Sequence, residues 1–283
     1  MPTALIDGIA TRYAVLGSGP PLLMFSPGGF DATLDKWRTQ GVYARIKLLD
    51  HLPRQFTCIT FDRRETGESG GRVEPLTWRH YAAQGKGLLD HLQIPRAHVI
   101  GACMGVSVAT VFAVDYPAMT DRVILYWPVG GARYRMQGHA RFGEHAAYAK
   151  DNGLDGVVAL AGTSDKSFGG DPRGGPWVSV IRRDPAFAQA YARVEPEGYQ
   201  WLLTRTARTL FDRDTAPGAE PEDLLRLDVP ALIVPGGADT THAVSAARYL
   251  QECLPTSEYW DIAAPEQTEA TVPPRLASFL SAR

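Results

Sequence analysis

The sequence predicts an α/β fold: a mostly parallel sheet flanked by helices, with an inserted helical cap. Three observations carry this. Short apolar runs alternate with helix-length segments over most of the chain. One junction, "HVIGACMGVSVA" (98–109), reads as strand, tight turn and helix. Residues 131–228 break the alternation with aromatic-, Gly- and Pro-rich helical patterns and no convincing strand. The core is therefore expected over 1–130 and 229–283, and the cap over 131–228.

In order, residues 3–16 read as two short strands with a turn. "GSGPP" breaks the chain, and "PLLMF" (21–25) is a buried-type strand ending in Ser26-Pro27-Gly28-Gly29. "FTCITFD" (56–62) is a strand, 77–93 a helix, and 98–100 the strand into Gly101. A helix over about 104–116 stops before Pro117, where proline ends helices. "RVILYWP" (122–128) and "PALIVPGG" (230–237) are strands, followed by a helix over about 243–253. "SEYWDIA" (257–263) is the last strand and "VPPRLASFL" (272–280) the closing helix.

Composition removes several function classes. The 283 residues are 45% hydrophobic and 21% charged, with a net charge of −2, so no basic footprint for nucleic acid exists. No apolar run approaches the ~20 residues of a membrane span, and the N-terminus lacks the basic and apolar regions of a signal peptide. Three cysteines, Cys58, Cys103 and Cys253, fit a reducing compartment, and a cytoplasmic location is expected. The seven histidines show no zinc-ligand spacing, so neither metal nor other cofactor is expected. The expected partner is a small-molecule substrate, with no nucleic acid or membrane; a homodimer is left open.

Gly101-x-Cys103-x-Gly105 matches the nucleophile-elbow pattern G-x-S-x-G with Cys in place of Ser. The nucleophile sits in a strained turn, and flanking glycines let strand and helix approach closely. The positive helix N-terminus favours a thiolate. A small buried Cys in a Gly-rich turn is the plainer alternative. Ser26-Pro27-Gly28-Gly29-Phe30 follows the earlier strand, and backbone N–H groups of Gly29 (or Phe30) and Met104 are candidates for an oxyanion hole.

With these residues in hand, the chain resembles the α/β-hydrolase fold over almost its whole length. "SPGGF" stands where the family has its HGG-type oxyanion loop. "FDRRETGESGG" (61–71) resembles the segment D-x-R-G-x-G-x-S, with Glu65 in place of Gly. "GACMG" is the elbow, and "VPALIVPGGADTTHA" (229–243) resembles the strand and loop that carry the acid. The resemblance makes Asp239 the triad acid. It is weak for substrate, because the fold hosts hydrolases, lyases, cofactor-free oxygenases and receptors.

The family's base, a His after the last strand, has no counterpart: "YWDIAAPEQTEATVPPRLASFL" holds none, and none follows His242. His242, three residues after Asp239, is one candidate base; the alternative is a helix-start residue packed under the loop. Glu266, near the vacated stretch, is a second, set against a solvated helix Glu. His139 and His145 in the cap are weaker candidates, and Arg63 and Arg64 read best as structural ion-pair residues. Phe30, Trp127, Trp177 and Trp201 are the expected aromatic pocket lining. The leading expectation is a cysteine-nucleophile hydrolase acting on a small activated ester, lactone or thioester. The Cys elbow resembles dienelactone hydrolases, although those keep the late His. The alternatives are a non-hydrolytic ligand-binding protein and a lyase or isomerase on the same fold.

Overall fold

A computed structural model describes residues 1–282. Eight strands form one sheet: β1 (Thr3–Ile6), β2 (Ile9–Leu16), β3 (Pro21–Phe25), β4 (Thr57–Phe61), β5 (Ala97–Ala102), β6 (Thr120–Tyr126), β7 (Ala231–Val234) and β8 (Ser257–Tyr259). Their spatial order is β1-β2-β4-β3-β5-β6-β7-β8. The two β2 pairings are antiparallel, and all pairings from β4 onward are parallel. Burial follows that division. β5 and β7 are buried at every residue, as in a sheet covered on both faces, whereas β2 begins with buried and exposed residues alternating.

Among the described residues, twelve α-helices accompany the sheet. Three short ones, α1 (Lys36–Thr39), α2 (Gly41–Ile46) and α3 (Leu48–His51), bridge β3 and β4. α4 (Trp78–His91) and α5 (Gly105–Asp115) bracket β5 in sequence. Between β6 and β7 come α6 (Ala132–Thr163), α7 (Val178–Arg183), α8 (Pro185–Ala192), α9 (Pro196–Leu210) and α10 (Pro221–Leu224). α11 (Val244–Cys253) and α12 (Val272–Ser281) complete the chain. Thr77 caps α4 by accepting from the His80 N–H and Asp184 caps α8, as short polar side chains at helix starts do, and the longer Glu195 carboxylate caps α9. α5 is buried along nearly its whole length, which explains why its sequence lacks a polar face.

The helical insertion thus enters and leaves between two adjacent strands, β6 and β7. Its last part does not go with the cap. α10 contacts α5 and α11, and the Ala219 N–H donates to Thr110 Oγ1 on α5. The ends of the insertion also meet earlier in the chain, where the Thr215 carbonyl accepts the Gly131 N–H at 3.1 Å.

β3 lies between β4 and β5, so the chain leaves it in one direction and returns on its other side. Such a reversal opens a crevice at the C-terminal strand ends. The loops after β3 and β5 meet there. No helix among the described residues is long and apolar enough to cross a membrane.

Candidate active site

The β5–α5 turn is as tight as its glycines imply. A Cβ on Gly101 would lie 2.3 Å from the Gly105 carbonyl oxygen, and one on Gly105 would lie 2.4 Å from the Phe25 carbonyl oxygen. Neither contact is tolerable, so no other residue fits without moving backbone. Between them Cys103 has φ of 54°, a left-handed conformation that costs a side-chain-bearing residue about 1–2 kcal/mol. Its N–H donates to the Tyr126 carbonyl on β6, which holds the strained residue in place. Glu65 shows the same effect. It stands where the related motif has Gly and has φ of 67°.

Cys103 is 7% exposed. Burial pushes its thiol up, but His242 and the backbone N–H groups of Met104 and Gly28 outweigh burial, and the net direction is down. Gly29, the residue expected from the sequence, lies next to Gly28 and lines the same cavity. The Gly29 carbonyl accepts from Arg63 Nη2 at 2.7 Å.

His242 follows β7 in the loop that also carries Asp239. The Asp239 carboxylate accepts from the N–H groups of Thr241 and His242, at 2.7 and 2.8 Å. It also accepts from His242 Nδ1, at 2.9 Å to Oδ2. Those bonds hold the Asp239 carboxyl below its ordinary range, although its partial burial opposes them. With Nδ1 donating to a carboxylate, Nε2 is left as the second functional nitrogen. It is buried and has no hydrogen-bond partner of regular geometry among the described residues. It faces Cys103: burial depresses the imidazole, yet the thiol and Asp239 raise it to about 9. The Trp127 ring backs His242 edge-on, with centroids 5.2 Å apart, and Gly236 leaves room for the His242 Cβ.

The stretch without the late histidine is filled by Gln267, which is fully buried. Its Oε1 accepts from Tyr126 Oη at 2.5 Å and Trp127 Nε1 at 2.7 Å, and its Nε2 donates to the Pro235 and Ile262 carbonyls. Glu266, the alternative base, is exposed and turns back to the Ala263 N–H at the start of its own helical turn. It lines no part of the cavity above Cys103. His139 bonds to the Phe211 carbonyl. His145 is buried between the Arg173 carbonyl and Tyr199 Oη, and burial lowers its pKa to about 4. Neither lines that cavity.

A cavity of about 230 Å³ lies above Cys103 and His242. The core side supplies Gly28, Gly29, Phe30 and Met104, and the cap supplies Tyr134, Arg141 and Phe211. Of the expected aromatic lining, Phe30 is present. Trp127 stands behind His242. Trp177 is fully buried against Tyr191 and Tyr199 and donates to the Arg72 carbonyl, so it packs rather than lines. Trp201 is 58% exposed, on the outer face of α9 beside Arg205. Arg64 is the ion-pair residue expected, held by Glu65 and Glu74. Arg63 is not, since no carboxylate lies within ion-pair distance among the described residues. Its guanidinium sits over the Tyr81 ring at 4.2 Å. Arg141 carried no sequence signal; an arginine on an amphipathic helix ordinarily faces solvent.

Comparison with known proteins agrees with this architecture. A family model described as alpha/beta hydrolase fold matches residues 21–152. The dihydrolipoyllysine-residue acetyltransferase component of the acetoin cleaving system of Cupriavidus necator is 34% identical over 125 residues, which is 44% of this chain and 31% of that protein. The chain thus matches about a third of that relative's length. 3-Oxoadipate enol-lactonase 2 of Acinetobacter baylyi is 25% identical over 88% of this chain and 84% of its own. The solved enol-lactonase of Burkholderia xenovorans LB400 superposes with a TM-score of 0.63 at 20% identity, covering 99% of this chain and 100% of that one. Strand order, the glycine-flanked turn after β5 and these matches give the chain the α/β-hydrolase fold.

Proposed function

We propose that this chain is a cysteine-nucleophile hydrolase of small activated carbonyl compounds, an ester, lactone or thioester. The observation that carries the reading is Cys103, strained at the elbow, facing an imidazole whose other nitrogen is held by Asp239. Nucleophile, base and orienting acid are the parts such chemistry needs. The unusual feature is that base and acid share one loop, three residues apart. The similarity to proteins named as enol-lactonases supports hydrolysis of an ester-like bond.

In this reading the Cys103 thiolate attacks the carbonyl carbon, and the carbonyl π electrons move to oxygen. The Gly28 and Met104 N–H groups stabilise that oxyanion. His242, protonated, gives its proton to the leaving oxygen or sulfur as the tetrahedral species collapses to a thioester. Neutral His242 then takes a proton from water, the water oxygen attacks the thioester, and collapse releases the acid and the thiolate. Asp239 holds the ring in one tautomer throughout. A thiolate is a good nucleophile and leaving group, which suits activated substrates.

The test is turnover of an activated ester such as 4-nitrophenyl acetate. Cys103→Ala is expected to abolish it. His242→Ala should lower it by on the order of 10²-fold or more. Glu266→Gln should leave it at the wild-type rate, because Glu266 lies outside the cavity. Unchanged turnover in Cys103→Ala, or no turnover by the wild type on esters, lactones and thioesters, would remove the hydrolase reading in favour of ligand binding or lyase chemistry.

A further inference from the structure

The cavity above Cys103 is asymmetric in charge. No Asp or Glu lines it, while Arg141 reaches it from α6. Arg141 is part-buried and makes no ion pair or hydrogen bond among the described residues. Other arginines show what a satisfied one looks like here: Arg64 holds Glu65 and Glu74, and Arg213 holds Asp212 and Glu220. A second cation, Arg63, stands behind the β3 loop, bonded to the Gly29 carbonyl. It too lacks a carboxylate within ion-pair distance, because Glu65 is taken by Arg64. Tyr134, which lines the same cavity, feels Cys103 and both arginines, which places the two charges in its neighbourhood.

The nucleophile and base do not cancel that excess. A thiolate, an imidazolium and the Asp239 carboxylate held on His242 Nδ1 together carry one negative charge, against two positive charges on Arg141 and Arg63. The site therefore keeps net positive charge in a partly desolvated space, where an unpaired cation is costly unless a ligand supplies the anion. Polar side chains of Gln40 and Gln137 also border the space, with no hydrogen bonds of their own among the described residues. Amides and one forked guanidinium match a planar carboxylate. The cavity, about 230 Å³, is lined by both Arg141 and Cys103 and suits one small molecule.

We infer that the substrate carries a carboxylate a few bonds from its reactive carbonyl, and that Arg141 binds this group. The inference rests on the hydrolase reading for its reactive carbonyl, but the carboxylate site itself does not. Arg141 selects by charge and fixes the substrate's orientation, with its carbonyl over Cys103. Its contribution is a charge-assisted hydrogen bond, expected to change affinity about 10- to 100-fold.

The experiment has two arms. The first compares kcat/KM for mono-4-nitrophenyl glutarate and for its neutral methyl ester. The second titrates glutarate and glutaramide against the protein by ligand-observed NMR, which reads charge recognition without turnover. The wild type should prefer the acid ester by at least tenfold and bind glutarate more tightly than glutaramide. Arg141→Gln should bring both ratios near one, with Arg141→Lys retaining part of each. High salt should weaken glutarate binding. Since Arg141 has no protein partner, its replacement leaves no group stranded, and thermal melts should confirm folded variants. Equal kcat/KM for the two esters, or glutarate binding unaltered in Arg141→Gln, overturns the inference while leaving the hydrolase reading intact. Arg141-dependent glutarate binding with neither ester turned over does the reverse: the carboxylate site stands and the hydrolase reading falls.

Discussion

Burial alone would make Cys103 an inert thiol, and the other two cysteines show it. Cys58, inside β4, is pushed up to about 12, and burial also raises Cys253. Cys103 moves the other way because an imidazole and two N–H groups face its sulfur. The pH dependence of alkylation follows. Cys103 is lowered below its ordinary value, and His242 is raised to about 9 beside it. Both shifts favour the pair as thiolate and imidazolium. Iodoacetamide should therefore label Cys103 first, and its labelling rate should fall toward acid pH along a limb that lies below the ordinary thiol range. In His242→Ala the acid limb should move up toward the ordinary thiol range, since the largest favourable neighbour is gone. Mass-spectrometric peptide mapping over a pH series reads this. Labelling of Cys58 or Cys253 ahead of Cys103, or a limb unmoved by His242→Ala, would remove the activated-thiol argument.

Among elements, the segment after β8 shows how a chain without the late histidine keeps its shape. Gln267 joins β6 to the last loop through Tyr126 and Trp127, and Trp127 in turn backs His242. Gln267→Ala strands a buried phenol and a buried indole N–H, each costing about 1–3 kcal/mol, with partial relief by relaxation. A loss of about 2–4 kcal/mol in urea unfolding is expected, together with slower Cys103 alkylation as His242 loses its backing. Stability within about 0.5 kcal/mol of wild type would show that the network is incidental. The sequence marks Cys103 and Asp239 as candidates because an elbow and an acid loop have local signatures, and His242 as a candidate by its spacing from Asp239. It did not separate Glu266 from Gln267. Which of two neighbours is buried depends on where a short turn enters the sheet edge, and that is set by tertiary packing. Gly28 and Gly29 are likewise not separated by sequence, since both have positive φ in one turn. Arg141, Trp177 and Trp201 sit on cap elements whose faces the helical period alone does not assign to cavity, core or solvent.

At the scale of the molecule, the candidate site draws its proposed reactive groups from the loops after core strands and part of its cover from the insertion between β6 and β7. Cys103, Met104, Gly28, Asp239 and His242 follow core strands, whereas Arg141, Tyr134 and Phe211 come from between β6 and β7. The joint is aromatic: Phe30 of the β3 loop inserts among Phe142, Phe168 and Phe211, with ring centroids 5.0–6.3 Å away. Polar ties add to it, from Trp177 to the Arg72 carbonyl and from Arg183 to the Ser69 carbonyl. The ends of the insertion meet, because Gly131 donates to Thr215. Replacing residues 133–213 with a short Gly/Ser linker therefore needs no rearrangement of β6 or β7, and it leaves α10 on the core. It uncovers Phe30, so a companion variant carries Phe30→Ser to limit self-association. The shortened chain is expected to unfold cooperatively and to keep Cys103 as its fastest-labelling thiol, since the groups that lower its pKa are retained. It should lose any preference for the acid ester over the methyl ester, because Arg141 leaves with the cap. Denaturant titration and the ester pair measure both. Failure of cooperative unfolding with and without Phe30→Ser would mean that the insertion is part of the folding unit, while a surviving charge preference would assign selectivity to Arg63 in the core.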